Sequence, residues 1–234
     1  MGAARAAEVE PSGVITVVVV ADGRKEYLTR AVESLARLRG PISVRLIHDD
    51  SGEAPFTSWL WETYGDRWQV HSTGRRLGFA RAMKSAREWV ADHDRNPRVW
   101  WHEQDFVLTR DIDLEAMGTV LDAHPGLAQM ALRRQPWNAA ERAAGGIIER
   151  WPDDFDPVTT RGHDWLRHRR WFTTNPALLP RSVIVSEEWP DGPDSEGRFG
   201  LGLFSRGWIS GYWGSRESGE WCNHIGAVRV GTGY

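Results

Sequence analysis

The segment Val99-Trp100-Trp101-His102-Glu103-Gln104-Asp105-Phe106 joins a short apolar run to two carboxylates spaced i, i+2. A strand covered on both faces reads as a continuous apolar run, and its pleat points residues two apart to the same side. Two carboxylates aimed together suit a hard divalent cation, which takes oxygen ligands and in turn grips a diphosphate. An isolated E-x-D is also the ordinary solvated end of a strand. The elements upstream decide between the two.

Val14 to Ala21 is a near-continuous β-branched run, the pattern of a parallel strand. Leu28, Ala31, Val32, Leu35 and Leu38 then recur at helical spacing, and Gly40-Pro41 is expected to stop that helix. Ile42 to Ile47 reads as a second strand running into His48-Asp49-Asp50-Ser51-Gly52, and Phe56 to Tyr64 as a short helix. Trp68 to His71 is a third strand; Phe79, Ala82, Met83, Ala86, Trp89 and Val90 mark one helix face; Arg98 to Trp101 is the fourth strand. This β-α-β-α-β-α-β order predicts an α/β fold with a doubly wound, mostly parallel sheet. Right-handed crossovers collect the strand C-termini along one edge, where such sheets bind ligands. Three of the four strands end there in polar or small residues: Ala21-Asp22-Gly23-Arg24, Asp49-Asp50-Ser51-Gly52 and Glu103-Gln104-Asp105.

The second half is less periodic. Leu114 to Leu121 predicts a helix and Leu127 to Leu132 a strand, whereas Arg133 to Arg170 is rich in Arg, Trp, Pro and Asp. Arg161 to Trp171 interleaves cations with two indoles, a pattern for holding nucleic acid, for an Arg-rich lid, or for a solvated face. Residues 1–13 read as a disordered N-terminal tail without the apolar core of a secretory signal. Residues 14–234 read as one domain, with a nucleotide-facing half (14–113) and an acceptor-facing half (114–234).

Composition narrows the classes. An apolar fraction of 41% and a net charge of −3 describe a globular chain with no global attraction to nucleic acid or membrane. The lone Cys222 excludes an intramolecular disulfide and a Cys-based zinc site, in keeping with a cytoplasmic location. No apolar stretch approaches the roughly 18 residues of a membrane span. Fourteen Trp residues, ten of them from Trp100 onward, serve either the core or flat stacking faces. Ala21-Asp22-Gly23-Arg24-Lys25 is no dinucleotide-binding G-x-G-x-x-G, and P-loop and G-x-S-x-G motifs are absent.

The remaining pattern resembles family 2 glycosyltransferases of the GT-A type, whose fold is a Rossmann-like three-layer α/β/α sandwich. The likeness covers Val14 to Asp113 and scattered motifs beyond. HDDSG (48–52) resembles the family's D-D-x-S turn. Leu77-Gly78-Phe79-Ala80-Arg81-Ala82-Met83-Lys84 resembles G-x-A-x-A-x-N, with Lys84 in place of Asn. Glu103-Gln104-Asp105 resembles the D-x-D metal motif, with Glu for the first Asp. Phe172 to Leu179 is similar to the segment lining the sugar pocket, and Trp221-Cys222-Asn223-His224 to a C-terminal segment whose His joins the metal. That ending and the Trp content are also similar to glycosyltransferase-like proteins of actinobacterial phages.

The resemblance implies a metal-dependent glycosyltransferase, a hexosyltransferase-like enzyme. It would move a sugar from a nucleoside-diphosphate sugar, with uridine as the expected base, to an acceptor hydroxyl with inversion. Glu103, Asp105 and His224 are the implied ligands of Mn²⁺ or Mg²⁺. Ala21, Asp22, Arg24, Asp49, Asp50, Arg76, Gly78, Arg81 and Gln104 are the implied donor-binding set, the arginines facing the diphosphate. Glu196 is the candidate base, with Asp194 and Glu188 beside it. A modified DNA base, a protein Ser/Thr or a glycan would supply the acceptor hydroxyl. A binding module that kept the fold and lost the chemistry, or a nucleotidyltransferase on the same sheet, are the rival readings.

Overall fold

A computed structural model describes residues 13–226, so the expected tail lies, apart from Gly13, outside the described residues. The elements in chain order are β1 (Ile15–Ala21), α1 (Lys25–Ser34), β2 (Leu38–Arg39), β3 (Ile42–Asp49), α2 (Ala54–Tyr64), β4 (Gln69–Ser72), α3 (Phe79–His93), β5 (Arg98–Glu103), β6 (Phe106–Leu108) and β7 (Ile112–Asp113). They continue as α4 (Leu114–Ala123), β8 (Leu127–Ala131), α5 (Ala139–Ala144), α6 (Ile147–Arg150), β9 (Asp156–Thr160), β10 (His163–His168), β11 (Ala177–Pro180), α7 (Arg181–Ser186), α8 (Ser195–Ser205), β12 (Ile209–Trp213) and β13 (Cys222–His224).

One nine-stranded sheet runs β4-β3-β1-β5-β11-β8-β12-β10-β9. β4, β3, β1 and β5 are parallel, as the alternating strand and helix pattern requires. β11 runs against both β5 and β8, and β10 against both β12 and β9, while β12 is parallel to β8. The β-branched run of β1 is buried because it has a strand on each side and helices on each face. Alternation sorts its side chains: Ile15, Val17 and Val19 pack with Leu28, Leu60 and Met117, whereas Val18 packs with Met83, Val90 and Val183. Trp100 goes to the first core and Trp101 to the second. α1, α2 and α4 thus cover one face and α3, α7 and α8 the other, giving the three-layer α/β/α fold expected.

Three local expectations need correction. α1 ends at Ser34; residues 35–37 tighten into a 3₁₀ turn, and Leu38 enters the short strand β2, paired with β7, before Gly40-Pro41 is reached. Arg161 to Trp171 is no lid: Arg161-Gly162 turns a hairpin whose second strand, β10, lies inside the main sheet. The aperiodic stretch after Arg133 holds α5, α6 and β9, elements too short to leave a period. α4 and β8 fall where expected, and Asp113 caps α4 by accepting from the N–H groups of Glu115 (3.0 Å) and Ala116 (2.9 Å). Trp68, Trp100, Trp101, Trp165, Trp189 and Trp213 are core residues, whereas Trp61 is 53% exposed.

Candidate functional site

The C-terminal ends of β3, β1, β5 and β8 share one edge of the sheet. β11 pairs Ala177 with Trp101 in the opposite direction, so residues 174–176 approach the same edge from the other side. β5 stops at Glu103, and Gln104-Asp105 form a turn into β6. The pleat that was expected to align Glu103 with Asp105 therefore ends two residues short of Asp105. His102 staples the turn: its Nε2 lies 3.0 Å from the Phe106 carbonyl oxygen, and burial lowers its pKa to about 4, so a neutral imidazole donates there.

Asp105 is the centre of the site. Its Oδ2 accepts from Arg24 Nη2 (3.1 Å) and stands 3.3 Å from His224 Nε2, while its Oδ1 is buried with no hydrogen-bond partner among the described residues. Burial alone would lift its carboxyl pKa, but the His224 and Arg24 contacts outweigh it and hold the group below its ordinary value. Arg24 also donates through Nε to Asp22 Oδ1 (2.8 Å), which the Gln104 side-chain amide reaches too. Burial opposes the Arg24 charge, yet Asp22 and Asp105 raise its pKa above the usual value. The segment after β13 closes over this carboxylate. Ile225 N donates to the Asp105 carbonyl (2.7 Å), and a Cβ at Gly226 would stand 2.9 Å from Asp105 Cγ.

Asp49 and Asp50 come to the same edge but are fully buried, with their oxygens engaged by the protein. Asp49 accepts from Ser51 N (2.8 Å) and Thr57 Oγ1 (2.5 Å). Asp50 accepts from Leu77 N (2.7 Å) and Gly78 N (3.0 Å), tying the loop before α3 to the sheet. Gly78 has φ +79°, a left-handed conformation that side chains disfavour. The same loop carries Arg76, exposed, whose Nη2 donates to the Asp22 carbonyl (3.2 Å). Ala21 is buried at the end of β1, and its carbonyl accepts from Asp50 N. Arg81 projects from the first turns of α3 and is exposed. Lys84 pairs with Glu188 at 3.2 Å, which draws Glu188 away from a role as base.

Glu196 sits in the first turn of α8. Its Oε1 accepts from Thr174 N (2.6 Å) and Thr174 Oγ1 (3.1 Å), which brings it to the sheet edge from the β11 side. Asp194, exposed and at φ +53°, precedes the helix. Beneath Thr174 a small apolar cavity between Met83, Trp101, Phe172 and Trp189 has room for about one water.

Solved structures share this architecture. S. aureus TarS, residues 1–349, superposes with a TM-score of 0.62 at 13% identity, over 90% of this chain and 60% of that one. The same protein in complex with UDP-GlcNAc matches at 0.56 and 14%, over 92% and 61%. The fold is that of the GT-A glycosyltransferases. Mannosyltransferase PcManGT from Pyrobaculum calidifontis, in complex with GDP-Man and Mn²⁺, matches at 0.56 and 13%, over 90% of this chain and 56% of that one. The chain therefore spans a little under two thirds of these GT-A neighbours. Its sequence matches no protein-family profile, nor any curated protein significantly.

Within the GT-A frame the metal expectation can be judged on the residues. Asp105 and His224 converge, but among the described residues no group of three or more His, Cys, Asp or Glu side chains forms a metal cluster. Glu103, the last residue of β5, does not complete one. A partnerless buried carboxylate oxygen beside an imidazole fits a cation that takes one or two protein ligands and fills its shell with phosphate oxygens and water. Sequence reasoning missed the residues that shape this pair: His102, Gly226, and the loop of Gln135 and Trp137 that packs on His224. The Gly226 signal was legible only as one more glycine.

Proposed function

We propose that this chain is a metal-dependent, inverting glycosyltransferase, using a nucleoside-diphosphate sugar and, as first donor class, a UDP-sugar. Asp105 carries the reading: a carboxylate at the C-terminal end of β5 with a buried, partnerless oxygen, flanked by an imidazole and a guanidinium. The neighbours bound to UDP-GlcNAc and to GDP-Man with Mn²⁺ support the donor class and the metal.

Asp105 and His224 would hold Mn²⁺ or Mg²⁺, with Glu103 reaching it through water. The ion would offset charge gathering on the departing diphosphate. Arg24 and Arg76, both at the Asp22 corner, bind the diphosphate oxygens, and Arg81 extends that cationic rim. Asp22, Gln104, Ala21 and Gly78 shape the floor, and Asp49 and Asp50 fix the loops on which the donor rests. The acceptor oxygen attacks the anomeric carbon, and the bond from that carbon to the phosphate oxygen breaks. The acceptor proton passes to the Glu196 carboxylate, with Asp194, two residues before it, as the second candidate. Hydroxyls of modified DNA bases, protein Ser/Thr and glycans all fit this chemistry. No helix among the described residues is long and apolar enough to cross a membrane. We place the enzyme in the cytoplasm, consistent with its free, buried Cys222, and in host cytoplasm if a phage encodes it.

The test is calorimetric titration of UDP and GDP with Mn²⁺ and with EDTA, followed by donor turnover in wild type and Asp105→Ala. Mn²⁺-dependent binding and turnover that Asp105→Ala lowers at least 100-fold are expected. Nucleotide binding without turnover toward any acceptor or water would leave a binding module. No nucleotide binding by folded protein would refute the proposal.

A further inference from the structure

We infer that Gln135 and Trp137 are positioning residues that hold the His224 imidazole against Asp105. The inference rests on the metal-assisted reading above.

His224 is restrained on every side. One edge of its backbone pairs with Phe106 through the β13–β6 ladder. The other edge would be an open strand edge, because among the described residues the chain opposite it forms a single bridge, Arg134 to Cys222. The Gln135 side chain continues that bridge in place of a main chain. Its Oε1 accepts from His224 N (2.8 Å), and its Nε2 donates to the His224 carbonyl (2.8 Å). A primary amide offers the same donor and acceptor pair as a peptide group, which explains why Gln serves here.

The imidazole ring is held as firmly as the backbone. Phe106 stacks on it with centroids 4.6 Å apart and planes 19° apart, and Trp137 lies against it at 4.1 Å. Between two aromatic rings the imidazole keeps the orientation that leaves Nε2 3.3 Å from Asp105 Oδ2. Trp137 is fixed in its turn: its backbone N–H donates to Glu141 Oε2 (2.8 Å), and Glu141 is clamped by Arg134 and Asn138. The loop of residues 134–141 therefore acts as an external support for one candidate ligand and touches neither Asp105 nor Arg24 in any hydrogen bond described above. A ligand held in place before the cation arrives loses less freedom on binding, so partners of this kind commonly change metal affinity 10–100-fold.

The test uses the full chain with MnCl₂ as probe, alone and with UDP or GDP, and reads free Mn²⁺ by electron paramagnetic resonance. Trp137→Ala and Gln135→Leu are each expected to weaken Mn²⁺ binding 10–100-fold, and Trp137→Phe, which keeps an aromatic face, to recover most of it. In a His224→Ala background the same substitutions are expected to add less than twofold, since the ligand they position is gone. A purely structural loop would lower affinity by the same factor in both backgrounds, and that result would overturn the inference while leaving the transferase reading intact. Wild-type affinity in both single variants would overturn it as well. Failure of the wild-type protein to bind Mn²⁺ with nucleotide would overturn the metal-dependent reading and this inference together.

Discussion

Replacing Glu141 tests the support of the site most directly, because this carboxylate is 4% exposed and accepts four hydrogen bonds. Two come from Arg134, at 2.7 and 3.2 Å, one from Trp137 N at 2.8 Å and one from Asn138 Nδ2 at 2.9 Å. The Arg134 side chain is 17% exposed, so in Glu141→Ala it keeps its charge with little water to replace the partner. Removing one member of a buried pair costs about 3–5 kcal/mol, and the residual exposure puts this case at about 3 kcal/mol. Glu141→Gln keeps the shape but turns an amide N–H toward a donor, for a loss of about 2 kcal/mol. Arg134→Met in the Glu141→Ala background should restore at least about 1 kcal/mol, because the orphaned charge goes with it. Urea unfolding at pH 7, followed by circular dichroism, measures all three.

The pH dependence of that pair has a definite sign. Burial pushes the Glu141 carboxyl up, but Arg134 and the Trp137 N–H outweigh it and hold the group below the usual carboxylate range. A depressed pKa contributes stability that is present above the unfolded value, about 4.3, and lost as pH falls through the folded one. The gap between wild type and Glu141→Gln should thus be constant from pH 8 to 5 and shrink below about pH 4. A gap under about 0.5 kcal/mol at pH 7 for Glu141→Ala, or one that widens toward acid, would refute the reasoning.

Glu196→Gln should lower kcat about 10²–10⁴-fold with nucleotide affinity unchanged, since the carboxylate is assigned to the acceptor proton; weakened UDP or GDP binding in calorimetry would count against it. Gly226→Ala drives a Cβ into the Asp105 carboxylate and should cost about 1–3 kcal/mol in urea unfolding along with Mn²⁺-dependent nucleotide binding. His168 is buried with neither ring nitrogen hydrogen-bonded among the described residues, stacked on Tyr212 at 4.9 Å, and burial lowers its pKa to about 3. The unfolded chain takes up a proton near pH 6.5 that the folded one refuses, so stability falls as pH drops from 6.5 toward 3. His168→Phe, which keeps the stack, should remove about 1.5 kcal/mol of the loss between pH 6.5 and 5, seen as a flatter stability profile.

The front half of the fold was legible because its signals are local. The β-branched run of β1, the apolar face of α3 and the polar residues closing β1, β3 and β5 each lie within a dozen residues and obey a single period. The back half was not, since α5, α6 and β9 are short, and β10 mixes buried Trp165, Leu166 and His168 with exposed Asp164 and Arg167 in a stretch that read as a basic loop. Leu38 continued the helical spacing of α1 by coincidence, and pairing with β7, far along the chain, took it into a strand.

The candidate site divides in the same way. Which carboxylates reach the sheet edge was readable from the chain alone, because strand order and right-handed crossover fix where β1, β3 and β5 end. Resemblance added His224 and Glu196 to the candidates. How each carboxylate is used depends on packing between distant segments. Asp49 and Asp50 are taken up by Ser51, Thr57, Leu77 and Gly78, whereas Asp105 keeps one buried oxygen without a partner. The same packing has Gln135 and Trp137 press His224 toward that oxygen's carboxylate. Hydrogen-bond satisfaction depends on groups distant in the chain, and no local pattern carries that information.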